Sequence, residues 1–260
     1  NDNKVKIFRR GSIIVPVHNQ VINASEIIKM MDIKGKEFDI KIHVMNTGNG
    51  TNTITAGHPL VTSLEKPEIA FIVGNGINPQ SAGEVWHHTD LNLSIPATLL
   101  DITRLRNTNL KRYNTIILPE GNFNVWGESE INKLKEWCQQ GNTLITIGSA
   151  TDWAADKKLV SLNLRKTDRN YSGSGIYENA DREIDAKVIG GSIFGVEADL
   201  SHPLFYGFDN KMVSLMKSGT RFYDPANNKY ATPAKYRDDF LVSGYLPKGI
   251  NSTIKGAAAI

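Results

Sequence analysis

Ser149 is the residue of this chain best placed to do chemistry. It follows a predicted strand, Thr143-Leu144-Ile145-Thr146-Ile147, at the turn Gly148-Ser149-Ala150. A sharp turn from a strand into a helix is where a parallel sheet presents a nucleophilic serine. Such a serine needs a base within hydrogen-bond reach and a third group to orient the base. His202 is the one histidine in the C-terminal half and therefore the candidate base. Two observations point the other way. Gly148-Ser149-Ala150-Thr151-Asp152 lacks the Gly-x-Ser-x-Gly spacing of a strained elbow, and Pro203-Leu204 after His202 fits a structural turn.

Other reactive side chains give weaker patterns. His87-His88 are neighbours on a predicted helix, where adjacent side chains point about 100° apart, so they read as a surface pair rather than two ligands of one ion. Gly74-Asn75-Gly76 lies between a strand and a helix, as a dinucleotide loop does. The third glycine of that fingerprint would fall at Pro79, so a tight turn is the plainer reading, with an anion at the helix N-terminus as the alternative. Asp101, Glu120, Asp152 and Asp156 lie near the carboxyl ends of predicted strands, the edge at which open α/β sheets bind ligands. The candidate ligand-binding set is Gly74, Asn75, Glu120, Gly121 and Ser149. No metal site and no cofactor are expected in this fragment.

Those residues need a scaffold, and the chain can build one. It has 260 residues, 40% of them hydrophobic, enough for one large α/β domain or two smaller ones. The net charge of +3 is spread without a basic block, which argues against a nucleic-acid partner. The apolar runs are far shorter than the roughly 20 residues of a membrane span. Cys138 is the single cysteine, so an internal disulfide and a cysteine-based zinc site are excluded. The chain opens on Asn1-Asp2-Asn3 with no signal peptide, which reads as a fragment boundary.

The clearest scaffold element runs from Tyr113 to Ala150. Thr115 to Leu118 reads as a strand closed by Pro119-Glu120-Gly121, and Glu128 to Gln140 as a helix. Ile131, Leu134, Trp137 and Cys138 form one apolar stripe on that helix, Glu128 and Glu130 favour its N-terminus, and Gly141 ends it. Cys138 is thereby assigned to the core. Ile69 to Val73 is a continuous apolar strand of the parallel-sheet kind. It is followed by a helix that starts near Ser81 and carries Val85, Trp86 and Leu91, with Trp86 as a core residue, then a strand over Ile95 to Ile102 and a short helical stretch from Leu105 to Leu110.

Before the boundary at Glu65-Lys66-Pro67, residues 7–17 and 38–45 read as strands flanking a helix that starts at Asn23-Ala24-Ser25-Glu26, a small βαβ unit. Past Trp153 the pattern weakens. Residues 165–179 read as a loop, and strands are expected around Ser192-Ile193-Phe194, over Leu241 to Tyr245 and over Ala257 to Ile260. The expected architecture is a doubly wound, flavodoxin-like, mostly parallel sheet with helices on both faces. The expected division is residues 1–66 packed on a main domain of residues 67–260.

Residues 67–153 resemble the class I glutamine amidotransferase-like fold, including its ThuA-like branch. Ile69 to Gly74, Tyr113 to Gly121 and Gly141 to Ser149 carry that resemblance. In active members a Pro-Gly-Gly loop supplies an oxyanion hole and a cysteine sits at the elbow. Here the loop is Pro119-Glu120-Gly121 and the elbow holds Ser149. Gly11 to Pro16 with His18-Asn19-Gln20, Ala82 to His87, Ile95 to Asp101 and His202-Pro203-Leu204 are similar to the C-terminal region of large bacterial proteins of the zinc carboxypeptidase family.

The resemblance implies an amidotransferase-like accessory or binding domain without catalytic machinery. It implies a peptidase domain upstream in the same chain, a peptide or glycan as possible ligand, and a periplasmic or secreted location. The alternatives are a serine hydrolase using Ser149 and a self-association module.

Overall fold

A computed structural model describes residues 7–49, 54–166 and 174–260. The chain divides into two compact units, Asn1–Glu65 with Phe205–Gly207, and Lys66–Leu204 with Phe208–Ile260.

The regular element of the first unit is the helix α1, Ala24–Glu37. Its start is the expected one, because the Asn23 side chain accepts from the Glu26 N–H at 3.0 Å. The two flanking strands do not form, so the front piece is not a βαβ unit. Phe8 and His43 bring the two segments near each other, with ring centroids 5.8 Å apart, yet no ladder joins them. Alternating apolar residues make a strand only when a neighbour takes up the backbone N–H and C=O groups. Here Ile7, Ile13 and Ile40 stay exposed.

The second unit holds the parallel sheet. Its strands are β1 (Ile69–Val73), β2 (Ala97–Asp101), β3 (Thr115–Leu118) and β4 (Thr143–Thr146). They pair in the order β2-β1-β3-β4, all parallel. That is the start of the flavodoxin-like order, in which the chain moves outward from β1 on one side and then crosses to the other.

Helices cover both faces. The helix α2 (Pro79–His87) sets Ala82 and Val85 against Ile69, Phe71 and Ile117. The opposite face carries Ala70, Ile72, Ile116 and Leu118. It packs on Leu134 and Trp137 of α3 (Glu128–Gln139) and on Ala150, Trp153 and Ala154 of α4 (Ser149–Asp156). Successive side chains of a strand point to opposite faces, which is why these two sets alternate in sequence.

α3 starts at its expected residue, ends one residue before the expected Gln140 and carries the expected stripe. Leu134 and Trp137 are buried, and Ile131 and Cys138 pack partly buried beside them. Burial raises the Cys138 thiol above its ordinary value. The Trp137 indole donates to the carbonyls of Leu110 and Tyr113 at 3.1 and 3.2 Å. Lys133 donates to those of Leu105, Arg106 and Thr108 at 3.0, 2.7 and 2.6 Å, which ties α3 to a pair of 3-10 turns where a helical stretch is expected.

Three local expectations change. α2 starts two residues before Ser81, because Asn78 caps it and Pro79 fits its first turn. Trp86 is 46% exposed and not a core residue. β2 keeps only Ala97–Asp101 of the longer predicted strand.

Beyond residue 189 the chain leaves the parallel pattern. β5 (Ser192–Ala198), β6 (Met212–Lys217) and β7 (Ala234–Ser243) form a separate antiparallel sheet in the order β6-β5-β7. The residues from 67 onward therefore do not form a single mostly parallel sheet. A parallel return usually runs through an α-helix, and no α-helix stands between β5 and β6 or between β6 and β7. This sheet has its own core of Phe194, Val196, Phe222, Tyr236 and Phe240 with Ile250 and Ile254. The expected terminal strand is reduced to bridges at Ala258, after the short helix α6 (Asn251–Ile254); α5 is Ala180–Asp185. The middle of the predicted loop, residues 167–173, lies outside the described residues.

This packing sets two expected outcomes. Leu134→Ala leaves a cavity under the parallel sheet and should cost about 2–5 kcal/mol of stability in urea titration, as buried Leu-to-Ala changes do. Burial pushes the Tyr236 phenol up to about 12. The folded state thus favours the neutral form. The stability this contributes is complete below the unfolded tyrosine value of about 10 and is lost as pH rises through about 12. The loss should be on the order of 2–3 kcal/mol. Tyr236→Phe should remove that alkaline decline when urea midpoints are compared across pH.

Candidate functional site

Parallel strands all end at one edge, so the loops after β1, β2, β3 and β4 converge there. The loop after β1 is tight, with the Ile77 N–H donating to the Gly74 carbonyl at 3.2 Å. Asp101, at the end of β2, packs behind it and accepts from the Thr103 N–H at 2.9 Å. Hydrogen bonds from the side chain and backbone of Thr103 hold the Asp101 carboxyl below its ordinary value.

The loops after β1 and β3 are laced together by their main chains. The Asn78 N–H donates to the Glu120 carbonyl at 2.8 Å, and the Asn122 N–H to the Gly76 carbonyl at 2.9 Å. Between them Ile77 and Gly121 form an antiparallel bridge. The absence of a side chain at 121 permits this approach, since a Cβ there would stand 3.0 Å from the Gly76 carbonyl oxygen and from Ile77 Cα, and 2.8 Å from Ile77 Cδ1.

Side chains repeat the tie. Asn78 Nδ2 donates to Glu120 Oε2 at 3.2 Å, and Ser81 Oγ accepts from the Glu120 N–H at 3.1 Å. Asn78 Oδ1 also takes up the N–H groups of Gln80 and Ser81, at 2.9 and 3.3 Å. Those are amides that an anion at the start of α2 would use, so Asn78 occupies that position itself.

Ser149 is the first residue of α4. Its hydroxyl donates to the Gly121 carbonyl and accepts from the Gly121 N–H, both at 3.1 Å. Gly148 before it adopts φ +57° and ψ −127°, a conformation suited to glycine. A Cβ there would lie 3.2–3.3 Å from the side chain of Glu120. Gly74, Glu120, Gly121 and Ser149 thus gather at one edge, and exposed Asn75 sits in the β1 loop beside them.

His202 is engaged elsewhere. Its Nδ1 accepts from the Leu204 N–H at 3.3 Å, and its own N–H donates to the Asp199 carbonyl at 3.1 Å, which makes the ordered turn that Pro203 suggests. The structure joins Ser149 and His202 by no hydrogen bond. His87 and His88 are exposed, and His88 Nδ1 lies 3.0 Å from Asn92 Nδ2. Among the described residues no group of three or more His, Cys, Asp or Glu is arranged to hold a metal. No helix among them is long and apolar enough to cross a membrane.

The sequence left several partners unseen. Asp152, one turn into α4, accepts from the Tyr223 hydroxyl and pairs with Arg221. Burial raises the Tyr223 phenol above its ordinary value, with Arg221 opposing that shift. Asp156 closes the same helix. Asn78 and Ser81 had a readable signal, because Asn before Pro is a helix-start pattern. Arg221 and Tyr223 had none, since only the tertiary fold brings them to Asp152.

No protein-family model matches the chain, and no curated protein matches it. Solved structures overlap it at low identity. One is assigned as a component of GMP synthase from Thermoplasma acidophilum, at 12% identity and a TM-score of 0.42 over 71% of this chain and 80% of that one. Another is a glutamine amidotransferase from Thermotoga maritima, at 12% identity and a TM-score of 0.36 over 67% of this chain and 64% of that one. With both TM-scores under 0.5, the flavodoxin-like α/β assignment rests on strand order, register and the two helical layers.

Gly148→Ala should cost about 1–3 kcal/mol in urea titration, the range for a side chain forced into a sparsely populated backbone region. Adding Glu120→Ala should recover only the part due to close approach, so the double variant should remain less stable than Glu120→Ala alone.

Proposed function

We propose that this chain is a non-catalytic, amidotransferase-like accessory or binding domain. Its parent is an exported, periplasmic or secreted, zinc carboxypeptidase-like protein with a peptidase domain upstream in the same chain. The domain offers the strand-end rim near Gly74, Glu120 and Ser149 to a peptide or glycan, with Asn75 and Gly121 in the adjoining loops.

The observation that carries the reading is the double hydrogen bond of Ser149 to the main chain of Gly121. A nucleophilic serine gives its proton to a base. Here the proton goes to a carbonyl, which takes up no proton at neutral pH. The same contact occupies the Gly121 N–H, a loop amide that would otherwise be free to stabilise an oxyanion. Glu120 adds a carboxylate beside Gly148 at the same rim, and a negative charge there disfavours an oxyanion. The parent protein and its location rest on the sequence resemblance.

A fluorophosphonate probe tests the central claim. The intact protein should show no labelling of Ser149 by peptide mass analysis, and Ser149→Ala should give the same background. Stoichiometric labelling of Ser149 would establish an activated serine and favour the hydrolase alternative.

A further inference from the structure

Asn75-Gly76 stands at the same edge and is not used by the lacing around it. The hydrogen bonds of this loop run through the Gly74 carbonyl, the Gly76 carbonyl and the N–H groups of Ile77, Asn78 and Asn122. Among the described residues, neither the Asn75 side chain nor the Gly76 N–H makes a hydrogen bond. Both residues are exposed. Gly76 has no Cβ to crowd its nitrogen and sits at φ +92°.

Other asparagines of this unit are held. Asn114 Nδ2 donates to the Lys66 carbonyl at 2.8 Å and Asn142 Nδ2 to the Trp137 carbonyl at 2.8 Å. Asn78 precedes Pro79, which has no backbone N–H to react.

We propose that Asn75-Gly76 is a site of spontaneous deamidation, a slow covalent change at the rim of the parallel sheet. The backbone nitrogen of Gly76 loses its proton to base and attacks Cγ of Asn75. The new C–N bond closes a five-membered succinimide, and the side-chain nitrogen leaves as ammonia. Water then opens the ring at either carbonyl, giving aspartate or isoaspartate. No oxidant, reductant or enzyme takes part.

Either product changes the edge. Aspartate puts a carboxylate in a rim that already holds Asp101 and Glu120. Isoaspartate adds a backbone carbon between Gly74 and Ile77, so the bonds Ile77 N–H to Gly74, Asn78 N–H to Glu120 and Asn122 N–H to Gly76 lose their register. The inference depends on the loop chemistry and stands whether or not the rim binds a ligand.

The test is incubation of the folded chain at mildly alkaline pH in heavy-oxygen water, followed by ion exchange and peptide mapping. An acidic isoform with heavy oxygen in the peptide holding Asn75 should accumulate faster as pH rises; the sequence's other Asn-Gly pair, Asn49-Gly50, is resolved from it by cleavage after Glu65 or Glu68 and scored apart. Asn75→Gln, which leaves the backbone unchanged, should abolish that isoform. In the isolated isoaspartate form, amide hydrogen exchange should quicken at Ile77, Asn78 and Asn122 relative to fresh protein. Asn75 staying intact while the urea-unfolded chain deamidates would overturn the site. Unchanged exchange at those three amides would overturn its link to the lacing.

Discussion

The parallel sheet leaves four strand ends at one edge, and the loops there must satisfy their own backbone N–H and C=O groups. This chain meets the constraint by joining one loop to another. The β1 loop bonds the β3 loop through two main-chain hydrogen bonds, which together make the Ile77–Gly121 bridge, and through the Asn78–Glu120 side-chain pair. The β3 loop bonds the first residue of α4 through Ser149. The direction of α2 and α4 as they leave the sheet follows from these ties. The division of apolar residues between the two sheet faces follows from strand alternation, and the tied loops deliver α2 and α4 to those faces.

The same edge explains how the antiparallel sheet is tied within this unit. Asp152 of α4 reaches Tyr223, and Tyr223 bridges to Leu164 and Ala258. Arg165 donates to the carbonyls of Thr253 and Lys255, at 3.0 and 2.7 Å, and to Asp224 at 2.7 Å. A guanidinium suits this position because its planar fork serves several acceptors at once. Arg165 thereby takes up carbonyls at the end of α6, where Gly256 follows the C-cap Lys255 at φ +63°.

Much of this is legible where local signals and tertiary demand agree. β1 and β3 read as apolar runs because they are buried on both faces, and α3 reads correctly because its acidic first turn, apolar stripe and closing glycine all point to one helix. The errors arise where a pattern needs a partner that sequence does not supply. Residues 7–17 and 38–45 alternate like strands, yet no strand forms in either segment. β6 escapes notice because Met212 to Lys217 is only half-buried, and becomes a strand only beside β5. At the site, the convergence of Gly74, Glu120 and Ser149 is readable from strand ends. The engagement of the Ser149 hydroxyl with Gly121 is not, since it depends on ångström-scale spacing between loops 28 positions apart.

The aromatic cluster beneath this edge has an optical consequence. Trp126 and Trp153 sit edge-on with centroids 5.4 Å apart, and Phe123 lies 5.0 and 5.2 Å from them. Phe123 follows the laced β3 loop directly, and Trp153 belongs to the helix that Ser149 begins. Two indoles this close share their electronic transitions, and their coupling changes with mutual angle. The near-ultraviolet circular dichroism of this protein is therefore a gauge of how tightly the sheet edge is closed.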